Sequence, residues 1–257
     1  MKESICVFGL GNMGLPIYHR IPSEFYKLAY DPYIVQNEIQ LEMDMKKAVE
    51  SSDILILCVK PDKIIPLLLD IHLPKKIISI AAGITLHTLQ ENLPKGSKVL
   101  RIMPNLPLIS GEGVIGACGD KDLMQTAKLI FSASGSFIEL EKEDEINCIT
   151  ALSGSGPAFA FTFLQALTEG GLKCGLSYPT SLKIAIQTIK GSMIFLENEL
   201  KTKPETHPYL WRNKVTSPGG TTIYGLHALE NGNFNYLVVD AVYKAFLRAR
   251  ELGENKK

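Results

Sequence analysis

The sequence predicts an α/β fold: a doubly wound, mostly parallel sheet over residues 1–145, then an all-helical region over residues 146–257. Three observations carry that expectation. Short apolar runs, each suited to a strand buried on both faces, alternate with helical spacings up to about residue 140. The first run leads directly into Gly9-Leu-Gly-Asn-Met-Gly14, a G-x-G-x-x-G pattern. Near Glu141 a charged stretch opens a region with helical periodicity and no strand signals.

Ser4 to Phe8 is the first expected strand. In the turn after it, Gly9 allows the tight bend, Gly11 lets a pyrophosphate approach the backbone, and Gly14 lets helix and strand pack closely. A glycine-rich turn with no ligand is the bland alternative. The following helix must be short, because Pro22 lies close behind. Lys27 to Tyr30 reads as the second strand and ends at Asp31. An acidic residue about twenty positions past the first glycine is placed to bind a ribose 2′-hydroxyl and to repel a 2′-phosphate, which favours NAD over NADP. Asp31 also precedes Pro32, so an Asx turn is an equal reading.

Asp53 to Val59, Ile77 to Ala81, Val99 to Met103, Gly113 to Cys118 and Phe137 to Leu140 complete the expected strands. Helices are expected around Ile64 to Leu68 and from Leu123 to Phe131. Lys60-Pro61, Ala81-Ala82-Gly83 and Pro104-Asn105 stand at carboxyl ends of strands, where open parallel sheets bind ligands. Taken singly, Lys60 reads equally as a solvated strand-end lysine and Asn105 as a turn former.

In the second half, Ala151 to Pro157 reads as a small-residue turn into Ala158 to Leu167, a helix apolar almost all round. Such a helix should be buried on every side, and a subunit interface would supply the burial. A phosphate loop at Ser153 to Gly156 is the sharper reading of that turn, but it lacks the lysine of a P-loop. Ser177 is a fitting cap for the next helix, with Pro179 in its first turn and Leu182, Ala185, Ile186, Ile189, Met193 and Leu196 on one apolar face. Lys201 to Thr206 reads as a loop. The last helix should bury Leu237, Val238, Ala241, Val242, Ala245 and Phe246, and Lys256-Lys257 should be solvated.

The stretch Val215-Thr-Ser-Pro-Gly-Gly-Thr-Thr222 carries the chemistry of that half. Ile223, Leu226 and Leu229 follow at helical spacing up to Gly232. Ser217 reads as an N-cap and Pro218 as the first helical residue. The amides of Gly219, Gly220, Thr221 and Thr222 would then form a cradle for a small anion, reinforced by the helix dipole. Thr221 and Thr222 add hydroxyls.

Composition limits the alternatives. Lysine plus arginine equals aspartate plus glutamate at 27 each, so no basic surplus points to nucleic acid or an anionic membrane. The five cysteines are scattered without C-x-x-C, which fits a reducing, cytoplasmic compartment. No apolar run approaches the eighteen or so residues of a membrane span. No histidine stands in metal spacing, so no metal site is expected. His227 reads as a structural helix histidine, and Ser153 and Ser155 lack a G-x-S-x-G setting.

Together Gly9 to Gly14, Val59-Lys-Pro61, Ala81-Ala-Gly83, Arg101-Ile-Met-Pro-Asn105, Leu152-Ser-Gly-Ser-Gly-Pro157 and Ser217-Pro-Gly-Gly-Thr-Thr222 resemble the pyrroline-5-carboxylate reductase family over essentially the whole chain. The glycine fingerprint is shared with many dehydrogenases; the last motif is the specific one. The resemblance implies an N-terminal Rossmann domain and a helical domain through which two chains interlock, with dimers often forming larger rings. It implies hydride transfer from NADPH or NADH to 1-pyrroline-5-carboxylate, giving L-proline, at a site made by the cofactor edge of one subunit and the helices of the dimer.

Carried over by motif, Gly9, Leu10, Gly11, Asn12, Met13 and Gly14 would hold the pyrophosphate. Cys58, Val59, Lys60, Pro61, Ala81, Ala82 and Gly83 would line the cofactor, with Asn105 near the nicotinamide and Asp31 at the ribose. Ser217, Gly219, Gly220, Thr221 and Thr222 would hold the substrate, with Thr222 hydrogen-bonded to its ring nitrogen as the catalytic residue. Three positions depart from the family: Cys58 replaces a common alanine, Trp211 a smaller aliphatic residue, and Asp31 a small hydroxyl or basic residue. A β-hydroxyacid dehydrogenase would share the glycine start but needs a lysine on the first long helix of the second domain, and Ala158 to Thr168 has none. A scaffold protein that kept only the fold would have a degraded substrate loop, and Ser217 to Thr222 is intact.

Overall fold

The computed structural model describes residues 2–34 and 38–254. The expected Lys256-Lys257 end lies outside the described residues. The sheet elements and their helices follow in order: β1 (Ser4–Phe8), α1 (Gly14–Arg20), β2 (Tyr26–Tyr30), α2 (Met45–Glu50), β3 (Ile54–Leu57), α3 (Pro61–Leu69), β4 (Lys76–Ser79), α4 (Leu86–Glu91), β5 (Lys98–Pro104), β6 (Gly113–Gly119), α5 (Lys121–Ile130) and β7 (Gly135–Glu139). The helical stretch is α6 (Glu145–Ile149), α7 (Gly156–Lys173), α8 (Tyr178–Thr202), α9 (Pro208–Lys214), α10 (Thr221–Asn231) and α11 (Phe234–Glu254).

The seven strands form one sheet in the order β2-β1-β3-β4-β5-β6-β7. All pairs are parallel except β5 with β6. Every residue of β3 is buried, as its unbroken Ile-Leu-Ile-Leu run requires for a strand covered on both faces. The alternation of side chains gives each face its own core. Ile5, Val7, Ile54 and Ile56 join one apolar cluster, and Cys6, Phe8, Leu55 and Leu57 join the other. Asp44, Thr85 and Asp120 cap α2, α4 and α5 by accepting first-turn amides. All seven strands lie where the apolar runs place them, within a few residues at the ends.

Two compact units are present: Met1–Pro157 together with Val242–Lys257, and Ala158–Ala241. This partition differs from a division at residue 145, because α6 and the turn after it pack with the sheet: Ile146 and Ile149 join Met103 and Cys118 in an apolar cluster. The turn expected at Ala151 to Pro157 is a continuation of α6. Thr150–Gly154 is a π-helical turn, a form that recurs at functional sites.

Within the second unit, Ser177 caps α8 as expected and its hydroxyl accepts the Thr180 amide. Pro208 opens α9 after His207, whose Nδ1 accepts the Tyr209 amide; a helix of about two turns is too short for apolar periodicity to announce. Helix α8 also runs to Thr202, into the expected loop.

Within one chain the apolar faces of the helical region are largely uncovered. On α7 only Thr168 is buried, and Phe161 and Leu167 are exposed. On α8 Ile186 and Met193 are exposed, and on α11 Leu237 and Val238 are too. The physical reason is size. Five helices in so short a unit cannot enclose this much apolar surface within one chain.

Candidate functional site

The strand order reverses between β1 and β3: the chain leaves β1 for β2 on one side and returns to β3 on the other. A crevice opens at the carboxyl ends of strands flanking such a switch point. The glycine loop sits there. Gly9 has φ +92°, which L side chains rarely adopt. A Cβ on Gly14 would lie 1.8 Å from the Gly9 carbonyl oxygen and 3.0 Å from Cys58 Cβ, so the helix–strand approach demands glycine. A Cβ on Gly11 would meet nothing within 4 Å. Gly11 and Asn12 are exposed, so the loop presents open backbone on that side, as a pyrophosphate cradle requires.

Asp31 makes the Asx turn its position allows, and a second bond to the glycine loop. Its Oδ2 accepts the buried Leu10 amide at 2.8 Å, and its Oδ1 accepts the Tyr33 amide at 2.9 Å in an Asx turn. The carboxylate is thereby fixed at the end of β2, tied to the glycine loop.

Across the switch, Cys58, Val59 and Lys60 continue from β3, with Lys60 at the N-cap of α3 and Pro61 as its first residue. Burial pushes the Cys58 thiol far above the usual thiol range, so it is an inert packing group beneath Gly14. Ala81, Ala82 and Gly83 follow β4; a Cβ on Gly83, at φ +72°, would lie 2.6 Å from the Leu252 carbonyl oxygen of α11. That glycine is therefore required by the protein's own packing.

Asn105 ends β5 and is buried. Its Oδ1 accepts the Val114 amide at 2.8 Å, and its Nδ2 donates to Ser153 Oγ at 3.0 Å and to the Ser153 carbonyl at 3.2 Å. It thus fastens the π turn to the end of the sheet.

A second buried tie went unread in the sequence. Arg101, on β5, pairs with Glu143, whose Oε1 also accepts the Leu86 amide at 2.7 Å, at the start of α4. The available signal was a lone arginine inside the apolar run Val99 to Met103.

In the helical unit the Ser217 stretch differs in detail from its expected form. Ser217 is not the N-cap and Pro218 is not helical. The Gly220 amide donates to the Ser217 carbonyl at 3.1 Å, with Gly219 at φ +68°. Pro218 and Gly219 thus form the middle of a tight turn, the arrangement Pro-Gly favours. Helix α10 starts at Thr221, with Gly220 as N-cap and no side-chain cap bond. The cradle shifts by about two residues: its donors are the first-turn amides of Thr221, Thr222 and Ile223, since the Gly220 amide is engaged. Thr222 is half-buried and Ser217, Gly219 and Thr221 are exposed.

Comparison with known proteins agrees with both halves. Residues 143–252 match the family model described as pyrroline-5-carboxylate reductase dimerisation. The chain is 36% identical to the pyrroline-5-carboxylate reductase of Synechocystis sp., over 84% of this chain and 81% of that one. It is 38% identical to pyrroline-5-carboxylate reductase 3 of Danio rerio, over 88% and 79%. The chain belongs to the pyrroline-5-carboxylate reductase family. Its structure is also similar to that of the Plasmodium falciparum pyrroline carboxylate reductase solved with NADP bound, at a TM-score of 0.86 and 30% identity over 98% of this chain and 99% of that one. Among the described residues, no helix is long and apolar enough to cross a membrane.

Proposed function

We propose that this protein reduces 1-pyrroline-5-carboxylate to L-proline, the last step of proline biosynthesis, with NADPH or NADH as hydride donor. The observation that carries this is the uncapped start of α10 behind an intact Ser217 to Gly220 turn, in a chain of this family. The residues present fit the dinucleotide: Gly11 is open, Gly9 is left-handed, and Gly14 is forced. The reduced nicotinamide supplies the hydride when bound.

The chain's own residues do the rest. The substrate carboxylate sits on the amides at the start of α10, with Ser217, Gly219, Gly220 and Thr221 shaping the turn around it. Thr222 holds a hydrogen bond to the ring nitrogen. The imine carbon gains the hydride and its nitrogen keeps the proton it carries from solvent, so no strong acid is needed at the site. Rate comes chiefly from positioning two reactants face to face.

Dinucleotide binding falls to the sheet unit, Met1–Pro157 with Val242–Lys257, and substrate holding and assembly to the helical unit, Ala158–Ala241, in place of a division at 145. The exposed apolar faces of α7, α8 and α11 are the surface of a homodimer, from which a ring of dimers can be built. The five free cysteines support a cytoplasmic location. No nucleic acid or membrane partner is part of this reading.

The test is oxidation of NADPH or NADH, followed by the loss of the reduced nicotinamide's absorbance, with and without pyrroline-5-carboxylate. Turnover only with the imine supports the reading. No turnover with either dinucleotide supports a scaffold that kept the fold.

A further inference from the structure

Ser153 is a residue of the π turn Thr150–Gly154 with no role in the reaction as described so far. Its surroundings fix the direction of its proton. Val114 donates its amide to Asn105 Oδ1, so the other face of that amide group is Nδ2, a donor. Nδ2 reaches Ser153 Oγ at 3.0 Å, and the serine oxygen must accept. The Ser153 hydrogen then points away from Asn105, and no acceptor for it is found among the described residues. Ser153 is half-buried, so the group is neither locked in the core nor freely hydrated.

The sheet shows what lies at that place. Strands β2, β1, β3, β4 and β5 all direct their carboxyl ends to one edge; β6 runs antiparallel to β5, and β7 follows β6. The edge that can hold a dinucleotide therefore stops at Asn105. Asp31 stands at its far end on β2, and the glycine loop one strand further in on β1. A cofactor with its pyrophosphate at β1 and β3 directs its other half over β4 and β5, three strand spacings or about 14 Å from β1 to β5. Its last polar group, the nicotinamide carboxamide, would then come to Asn105 and Ser153.

We infer that Ser153 is a cofactor-binding residue whose hydroxyl, oriented by Asn105, donates a hydrogen bond to the carboxamide oxygen of the nicotinamide. This rests on the dinucleotide reading of the preceding section. Asn105 is then a positioning residue, with both its polar atoms engaged by the protein itself.

The test measures dissociation constants without substrate, by cofactor fluorescence, absorbance or calorimetry. The probes are the reduced dinucleotide that the wild type binds more tightly, its thionicotinamide analogue, and the matching ADP-ribose fragment without nicotinamide. Ser153→Ala is expected to weaken the natural dinucleotide about five- to tenfold. It should leave the ADP-ribose fragment unchanged and weaken the thio analogue less than twofold, because sulfur is a poor acceptor. Ser153→Cys, close in volume and a weak donor, should give the same ordering should the alanine variant fold poorly. An unchanged affinity for the natural dinucleotide, or equal losses for it and the thio analogue, overturns the assignment. A wild type that binds neither dinucleotide overturns the functional reading instead.

Discussion

The backbone amide of Leu10, inside the glycine loop, donates a 2.8 Å hydrogen bond to Asp31 Oδ2 at the end of β2. One carboxylate thus shapes the glycine turn, and under the proposed dinucleotide reading it would set a negative charge beside the adenosine ribose. Replacing it with serine should raise the NADPH/NADH ratio of kcat/KM at least about tenfold, the effect of about 1.4 kcal/mol of charge repulsion removed. Steady-state kinetics with both cofactors decide it; a ratio that stays put means that the charge does not face the 2′ position.

Two glycines three residues apart should behave oppositely. Gly14→Ala drives a methyl into the Gly9 carbonyl and should cost about 3 kcal/mol or more of stability. Gly11→Ala has room and should melt like the wild type, yet weaken dinucleotide binding more than tenfold. Thermal denaturation alongside cofactor titration separates them. Equal melting temperatures for the two variants would contradict the packing geometry.

Thr222→Ala should lower kcat about ten- to hundredfold, with the cofactor KM nearly unchanged. The hydroxyl is expected to matter at the ring nitrogen alone. A larger change in cofactor KM than in kcat would move Thr222 out of the substrate site.

Glu143 holds both Arg101 and the Leu86 amide. Glu143→Ala leaves a guanidinium of 6% side-chain exposure without its partner and should cost about 2 kcal/mol. The value falls below that for a fully buried pair because Glu143 keeps 30% exposure. Chemical denaturation measures it, and a loss below about half a kcal/mol would show that water replaces the carboxylate.

Alkaline stability should be limited by two thiols. Burial, reinforced by the Glu42 carboxylate, pushes Cys6 far up, and burial does the same to Cys58. In the unfolded chain both ionise above about pH 8.5. From there upward the folded state binds more protons than the unfolded one, so stability is complete below that pH and falls as pH rises. The slope approaches about 1.4 kcal/mol per pH unit for each thiol. Urea titrations between about pH 8 and 10.5 should show a shallower decline for the Cys6→Ala/Cys58→Ala double variant. An unchanged slope would place the titrating groups elsewhere.

Much of the fold was legible because parallel strands buried on both faces have an unmistakable composition. Ile54 to Leu57 could be little else. The glycine loop was legible for a similar reason: backbone constraints select a residue type. Helix starts that depend on a tight turn were less so. Ser217-Pro218 looks like a cap and first turn until Gly219 takes φ +68° and delays the helix to Thr221. The burial of α7, α8 and α11 could not be read at the level of one chain, since apolar periodicity records a face without saying which molecule covers it. Asn105 and Ser153 were visible as motif members, but their mutual hydrogen bond joins residues far apart in sequence, and spacing carries no trace of it.

Helix α11 begins in the helical unit and, from Val242 on, belongs to the sheet unit, where its Leu252 carbonyl closes over Gly83. The two lobes are consequently not interchangeable cassettes. A fragment ending at Pro157 would be a nucleotide-binding lobe with an uncovered flank, and a transplanted helical lobe would carry a foreign closing segment with it. A chimera between homologues would therefore have to carry this returning helix with the sheet lobe it closes.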